Sequence, residues 1–420
     1  MTVTSHAHPT AEAIVEASPQ EWREETSWWT RMWTSASTAK AVSAESALLS
    51  RFLLNSSYSL RRVAVEVNNF GTQHINSLIV SPPEHVKHVH AKEASDDVPI
   101  VMTHGFGSGL AMFYRNLEDL STRSGRRVYA VDWLGMGRSS RADYPARTSS
   151  RDLWGLWKKA GPDEVDPEQL NYFLDSLEAW RKEMGIERMH LLGHSWGGYL
   201  STRYAQKYPE RVKTLTLASP FGVADRHAEA APVAPEGEAK MNPKSLPLAA
   251  RAMLRFWEWN YTPQYIIRMM GPWASDKAHS AVDRRFGDTM TADEKRLVCD
   301  YLLNLALLAP AGEYSLHAFA SILTSPKFGL YAREPLRKII SFTDIPTSFI
   351  YGDADWMYNP QVLAIVDRNQ KAVSHHTIPG AGHHVYLDQP HLFNNCFLSH
   401  IAQLTPTIDS VPTPAASYVS

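Results

Sequence analysis

Three stretches of the 420-residue chain carry residue types that could together do nucleophilic chemistry on a carbonyl carbon. The first is Gly193-His194-Ser195-Trp196-Gly197, set between the largely apolar run Met189 to Leu192 and the helix-compatible run Tyr199 to Tyr208. A serine with glycine two residues away on both sides, at a strand-to-helix junction, is the pattern of a nucleophile elbow. The turn is so sharp that only residues without side chains, here Gly193 and Gly197, let strand and helix pass beside Ser195. The second stretch, Gly352-Asp353-Ala354-Asp355-Trp356, follows the strand-like run Ile345 to Tyr351. The third, Gly380-Ala381-Gly382-His383-His384-Val385-Tyr386-Leu387-Asp388-Gln389-Pro390, follows another around His376 to Ile378. Nucleophile, acid and base thus stand in the order Ser, Asp, His, each in a turn after a predicted strand. His383 would take the proton from Ser195, and Asp355 would fix the imidazole tautomer and stabilise the imidazolium. Asp353 is the rival acid; Asp355 is preferred because it lies further past the strand, in the turn itself. His384 is the rival base.

A fourth stretch supplies what such chemistry needs next to the nucleophile. The run Val98 to Thr103 ends in His104-Gly105-Phe106-Gly107-Ser108-Gly109, a glycine-rich turn whose backbone N–H groups can approach a ligand closely. One oxyanion donor should follow the nucleophile and the other come from this turn, so the expected pair is the backbone N–H of Trp196 and of Phe106.

These turns need a scaffold that brings them together. Val63 to Val67 and Ile75 to Val80, parted near Gly71, suggest a hairpin. Val128 to Asp132 and Thr214 to Ala218 read as further strands. Asp166-Pro167-Glu168 starts a helix in which Leu170, Phe173, Leu174, Leu177 and Trp180 recur at helical spacing up to Gly185. Alternating strands and helices predict an α/β fold with a mostly parallel, doubly wound sheet, and turns at its carboxyl edge let residues far apart in sequence meet. Asp132 also ends a strand, but the acid of such a triad follows the nucleophile in chain order, so Asp132 is expected to be structural.

The organisation expected from this is a disordered tail over 1–20, a tryptophan-rich helical segment over 21–60, a core over 61–219 and 341–404, a helical lid over 220–340 and a second tail over 405–420. Residues 141 to 165 look like a surface insertion. Trp22, Trp28, Trp29, Met32 and Trp33 either pack as a helix on the core or anchor the chain at a water–lipid interface. In the lid, Phe256, Trp257, Trp259, Tyr261, Tyr265, Ile266, Met269, Met270 and Trp273, mixed with Arg251, Arg255 and Arg268, would suit an acyl chain beside a phosphate, or simply a cap packed on the core. The charge balance, 42 basic against 44 acidic residues, argues against nucleic acid. Cys299 and Cys396 cannot form a disulfide framework, and the N-terminus lacks a secretion signal, so a reducing, intracellular compartment is expected. No uninterrupted apolar run approaches spanning length, which leaves only peripheral membrane contact. No motif calls for a metal or cofactor.

From about Trp28 to Leu404 the chain resembles the α/β-hydrolase subfamily that contains the N-acyl phospholipid lipases, the cardiolipin-specific deacylases, the lysophosphatidic acid acyltransferases and the lipid-droplet lipase coactivator. The resemblance is carried by the tryptophan-rich start, His104-Gly105-Phe106-Gly107, Asp132-Trp133-Leu134-Gly135, the elbow, and above all Gly380 to Pro390. It implies the α/β-hydrolase fold and a serine hydrolase acting on the acyl ester of a phospholipid or lysophospholipid, with acyl transfer to lysophosphatidic acid as a further activity. It also implies a lipid substrate met at a membrane, lipid-droplet or mitochondrial surface. Coactivator members carry Asn where this chain has Ser195, so the serine here implies an enzyme. Members with acyl transfer have a His-x4-Asp motif, matched by His383 and Asp388. A small-ester hydrolase or peptidase of the same fold and a non-catalytic lipase-regulating protein are the alternatives.

Overall fold

The computed structural model describes residues 38–54, 57–83, 86, 98–145, 165–225, 261–323, 329–340, 344–369 and 372–402. Both tails, Trp22, Trp28, Trp29, Met32 and Trp33, most of the 141–165 segment, and Arg251, Arg255, Phe256, Trp257 and Trp259 lie outside the described residues.

The first described helix, α1 (Thr38–Phe52), buries Ala41, Leu48 and Leu49 on one face. A hairpin follows, β1 (Ser57–Val67) and β2 (Gly71–Ser81), paired antiparallel along its length. Its first strand buries Val63, Val65 and Val67 and exposes Ala64 and Glu66, the period of two expected of a sheet covered on one side there. The chain then alternates through β3 (Ile100–Thr103), α2 (Leu117–Ser124), β4 (Val128–Val131), α3 (Pro167–Glu183), β5 (Met189–His194), α4 (Trp196–Lys207) and β6 (Val212–Ala218). Helix α3 starts where its sequence signals place it: the Asp166 carboxylate accepts the Glu168 N–H at 2.9 Å, and Pro167 occupies the first turn, where no N–H is needed.

Between β6 and the next sheet strand comes an insertion, described from residue 261, that is helical except for one ribbon. It comprises α5 (Pro263–Met269), α6 (Ala274–Phe286), α7 (Ala292–Leu307), α8 (Ser315–Phe319), the antiparallel pair β7 (Ala320–Leu323) and β8 (Gly329–Ala332), and α9 (Leu336–Ile340). The ribbon departs from the all-helical expectation; the run Ala-Ser-Ile-Leu is too short to show a strand period by itself. The sheet resumes with β9 (Thr347–Gly352), α10 (Gln361–Arg368), β10 (Val373–Ile378), α11 (Val385–Asp388) and α12 (Pro390–Ala402).

The eight strands of the main sheet run in the order β1-β2-β4-β3-β5-β6-β9-β10, parallel from β4 to β10. Every residue of β3, β4, β5 and β9 is buried, because helices cover both faces. One core lies under α3, α4 and α9 and the other under α1, α2, α7 and α12. The chain winds from β3 outward to β4, then steps back across β3 to β5. The loops leaving β3 and β5 therefore diverge at the carboxyl edge and open a crevice between adjacent strands, with Thr103 paired beside Gly193.

Candidate active site

Ser195 leaves the end of β5 with φ 52° and ψ −114°, in a region nearly closed to residues with a side chain, and its next residue opens α4. The surroundings hold it there: Ser195 N–H donates to the Ala218 carbonyl at 2.9 Å, and its own carbonyl accepts Phe221 N–H at 3.0 Å. The crossing is so tight that a Cβ on Gly193 would come within 2.5 Å of the Gly197 carbonyl oxygen, and one on Gly197 within 2.5 Å of that of His104. A β-carbon on Gly105 would likewise fall 3.2 Å from Ser195 Cβ.

His383 Nε2 stands 3.0 Å from Ser195 Oγ and His383 Nδ1 stands 3.1 Å from Asp355 Oδ1, with all three residues more than nine-tenths buried. Burial would push the Asp355 carboxyl up. The hydrogen bond and charge of His383, with the Met357 N–H at 2.9 Å, outweigh burial and hold it below the usual carboxylate range. Asp353, the rival acid, is exposed and serves the scaffold: its carboxylate accepts Ala381 N–H at 3.2 Å and its N–H reaches the Ile378 carbonyl at 3.1 Å. Gly352 lets these two turns meet, since a Cβ there would lie 2.1 Å from the Ala381 carbonyl oxygen. His384, the rival base, points away to Arg285. Burial, and then the neighbouring His194 and His383, hold it well below the ordinary imidazole range.

Among the described residues, the backbone N–H groups of Phe106 and Trp196 are bonded to no protein acceptor. Trp196 follows Ser195 in the chain, and its ring meets that of Phe106 edge to face at 5.7 Å. His104 braces the turn. Its Nε2 accepts Trp133 N–H at 3.2 Å, so Nδ1 carries the proton and donates to the Gly105 carbonyl at 2.8 Å. Asp132 is a buried hub, as its place before the nucleophile suggested. It accepts Leu110 N–H at 2.6 Å, Arg138 N–H at 2.8 Å and Asn76 Nδ2 at 2.8 Å, and Gly137 at φ 51° leaves room for its carboxylate.

Asp388 lies in the same loop as His383 without touching its ring. Its carboxylate accepts Gly382 N–H at 2.8 Å, just before His383, and pairs with Arg285 Nη2 at 3.0 Å; Arg285 Nε–H donates to His384 Nδ1 at 3.2 Å. A helix of the insertion, α6, thereby grips the histidine turn. Nothing in the spacing of Arg285 foretells this contact across 103 residues. His194 also had no assigned role. It donates from Nε2 to the His383 carbonyl at 3.0 Å, and burial, with the charge of His383, keeps its ring uncharged. Arg268, expected either beside a phosphate or in a cap packed on the core, has its guanidinium tied to Glu313 and to the Ala306 carbonyl at 2.9 Å, a buried ion pair that fits the second reading. Among the described residues no cluster suits a metal ion.

Residues 98–390 match the model of the alpha/beta hydrolase fold. The chain is 32% identical to the 1-acylglycerol-3-phosphate O-acyltransferase of Arabidopsis thaliana over 375 residues, covering 87% of this chain and 81% of the relative. It is 35% identical to the (lyso)-N-acylphosphatidylethanolamine lipase of Homo sapiens over 308 residues, covering 72% and 78%. The carboxylesterase CesB of Bacillus subtilis superposes with a TM-score of 0.51 at 18% identity, covering 87% of this chain and 98% of that one. The chain belongs to the α/β-hydrolase family, in the branch that holds these lipases and acyltransferases, and it is an enzyme of the hydrolase class.

Proposed function

We propose that the protein is a serine hydrolase that cleaves an acyl ester of a phospholipid or lysophospholipid through an acyl-enzyme. The observation that carries this is the continuous relay from Asp355 through His383 to a strained, buried Ser195. Ser195 Oγ attacks the ester carbonyl as His383 Nε2 takes its proton. The negative charge that develops on the carbonyl oxygen is met by the N–H groups of Phe106 and Trp196, both without a protein acceptor. The proton on His383 then passes to the departing alcohol, leaving the acyl group on Ser195, and a water activated by the same imidazole releases the fatty acid. A lysophospholipid hydroxyl in place of that water would give acyl transfer, a second reading favoured by the relative called an O-acyltransferase. Asp388 then acts by holding the turn that carries His383. The test is fluorophosphonate labelling: Ser195→Ala is expected to abolish it in a chain that unfolds at the wild-type temperature, and undiminished labelling refutes the assignment.

The insertion is proposed as the lid, working at a lipid surface. Met269 and Trp273 are 70% and 71% exposed at the end of α5 and the turn after it, and Trp356, beside His383 at 5.1 Å, is 69% exposed. Large apolar side chains left in water, one of them beside His383, support a docking face, because indole favours the headgroup boundary. Replacing Met269 and Trp273 by serine is expected to weaken liposome flotation and phospholipid turnover at least tenfold, with hydrolysis of a short-chain ester in solution changed less than twofold. Trp22, Trp28, Trp29 and Trp33 are a second candidate anchor. If their replacement by alanine abolishes flotation and the insertion variants float normally, the insertion is not the docking face.

A further inference from the structure

His383 stands between two residues that one side chain of the insertion holds. Gly382, just before it, gives its N–H to Asp388 Oδ2 at 2.8 Å, and the same oxygen takes Arg285 Nη2 at 3.0 Å. His384, just after it, accepts Arg285 Nε–H on Nδ1 at 3.2 Å. The guanidinium lies close against the turn itself, since a Cβ on Gly382 would come within 3.4 Å of Nη2. Arg285 sits in the last turn of α6, where a cation suits the helix dipole, and its guanidinium rests over the Phe286 ring at 4.9 Å. That ring in turn packs on His384 at 5.3 Å. Arginine carries its Nε–H and Nη–H donors in one rigid plane, so a single fork can fix a carboxylate and an imidazole relative to each other.

What the fork holds is the place of the base. The Asp388 side chain is 3% exposed, its Oδ1 has no hydrogen-bond partner, and among the described residues its one ion pair is with Arg285. A carboxylate so buried does not stay charged and in place once its cation is gone; it takes a proton or turns out to water. Either change weakens its hold on Gly382 N–H. The rest of the turn is tied elsewhere, by Ala354 N–H to the Ala381 carbonyl at 3.0 Å and by His194 Nε2 to the His383 carbonyl at 3.0 Å. Loss of the fork is therefore felt as a displaced imidazole in a protein that still folds. His383 has to keep 3.0 Å to Ser195 Oγ and 3.1 Å to Asp355 Oδ1 at once. A misplacement of about 1 Å in such an arrangement costs about 10²-fold in rate.

On the reading of Ser195 and His383 as nucleophile and base, we infer that Arg285 is a positioning residue for that base, a clasp by which the insertion sets His383 through Asp388 and His384. Arg285→Ala is expected to lower kcat for a soluble chromogenic ester at least about tenfold, with KM within about threefold of wild type. Guanidinium chloride, kept well below denaturing concentrations, should raise kcat of this variant at least about threefold by refilling the vacated fork, and sodium chloride at the same concentration should not. Arg284→Ala removes the same charge from the exposed neighbouring position and should turn over like wild type. Because Arg285 acts through Asp388, the double variant Arg285→Ala, Asp388→Asn should be at most about twofold slower than the slower single variant, whereas independent losses would multiply. Thermal unfolding reports that each variant folds. Should Arg285→Ala fail to fold, Arg285→Lys keeps the charge without the fork and is expected to lose at least about threefold in kcat. Turnover close to that of wild type in the Arg285 variant, an equal loss in Arg284→Ala, a loss that guanidinium leaves unrepaired, or losses that multiply in the double variant overturns the assignment. A wild-type protein that takes no fluorophosphonate at Ser195 instead sinks the serine-hydrolase reading on which it rests.

Discussion

Asp355→Asn is expected to lower kcat for ester hydrolysis by about 10⁴-fold, the loss seen when a triad acid becomes an amide and the imidazole takes the wrong tautomer. The Asp355 carboxylate accepts from Met357 N–H and stands against His383 Nδ1 through the same oxygen, so it requires the proton of His383 on Nδ1 and leaves Nε2 free to accept from Ser195. An amide could turn its NH2 towards Nδ1, which would move the proton to Nε2 and leave no base facing Oγ. Asp353→Asn separates the two candidates. Its carboxylate accepts from backbone N–H groups, those of Gly380 and Ala381 among them, and an amide keeps one accepting oxygen, so turnover should stay within about tenfold of wild type. Steady-state hydrolysis of a chromogenic ester by both variants checks this. A loss of 10³-fold or more in Asp353→Asn with an active Asp355→Asn would exchange the roles.

The parts of the site legible in the sequence were those whose chemistry depends on local spacing. The glycines around Ser195 are dictated by a steric crossing of a few ångströms, so the elbow declares itself within five residues. Asp355 follows because its turn closes β9, buried at every residue and visible as an apolar run, whereas the turn of His383 closes the half-buried edge strand β10 and is marked by its own glycines, Gly380 and Gly382. What was not legible depends on contacts between distant segments with no periodicity. The bond of Arg285 to Asp388 joins the insertion to the histidine loop, and an arginine on an amphipathic helix looks the same whether it meets solvent or a carboxylate. Arg268 was left open between two readings for the same reason. Its mixture with apolar residues suited either a phosphate or a cap packed on the core, and its pairing with the Glu313 carboxylate, 45 residues away, fits the cap. The glycine-rich turn after β3 is intermediate: its glycines were evident, but its bonds to His104 and, just beyond it, to Asp132 were not.

The bonds to Asp132 give the largest expected effect on stability. Asp132→Ala should destabilise the fold by about 3–5 kcal/mol, the cost of removing one partner from a buried charged network. The carboxylate is fully buried and holds the N–H of Leu110, the N–H of Arg138 and the amide of Asn76, so its loss strands three donors at once, one of them directly after the glycine-rich turn. Glu45 on α1 shares this network, pairing with Arg138 and accepting Asn76 Nδ2 at 3.2 Å. Burial, opposed by Arg138 and reinforced by the charge of Asp132, pushes the Glu45 carboxyl up to about 7. A carboxyl whose folded value is raised stabilises the native state below its unfolded value near 4.5, and that contribution fades as pH rises through 7. Glu45→Gln is therefore expected to lose most stability relative to wild type near pH 5 and progressively less towards pH 8. In the Asp132→Ala background the difference should change less across this range, because the repulsion that helps to raise Glu45 is gone. Urea unfolding of the three variants and wild type at pH 5 and pH 8 reads both effects. A stability gap between Glu45→Gln and wild type that is the same at the two values would mean that Glu45 stays ionised throughout, with Arg138 alone outweighing its burial.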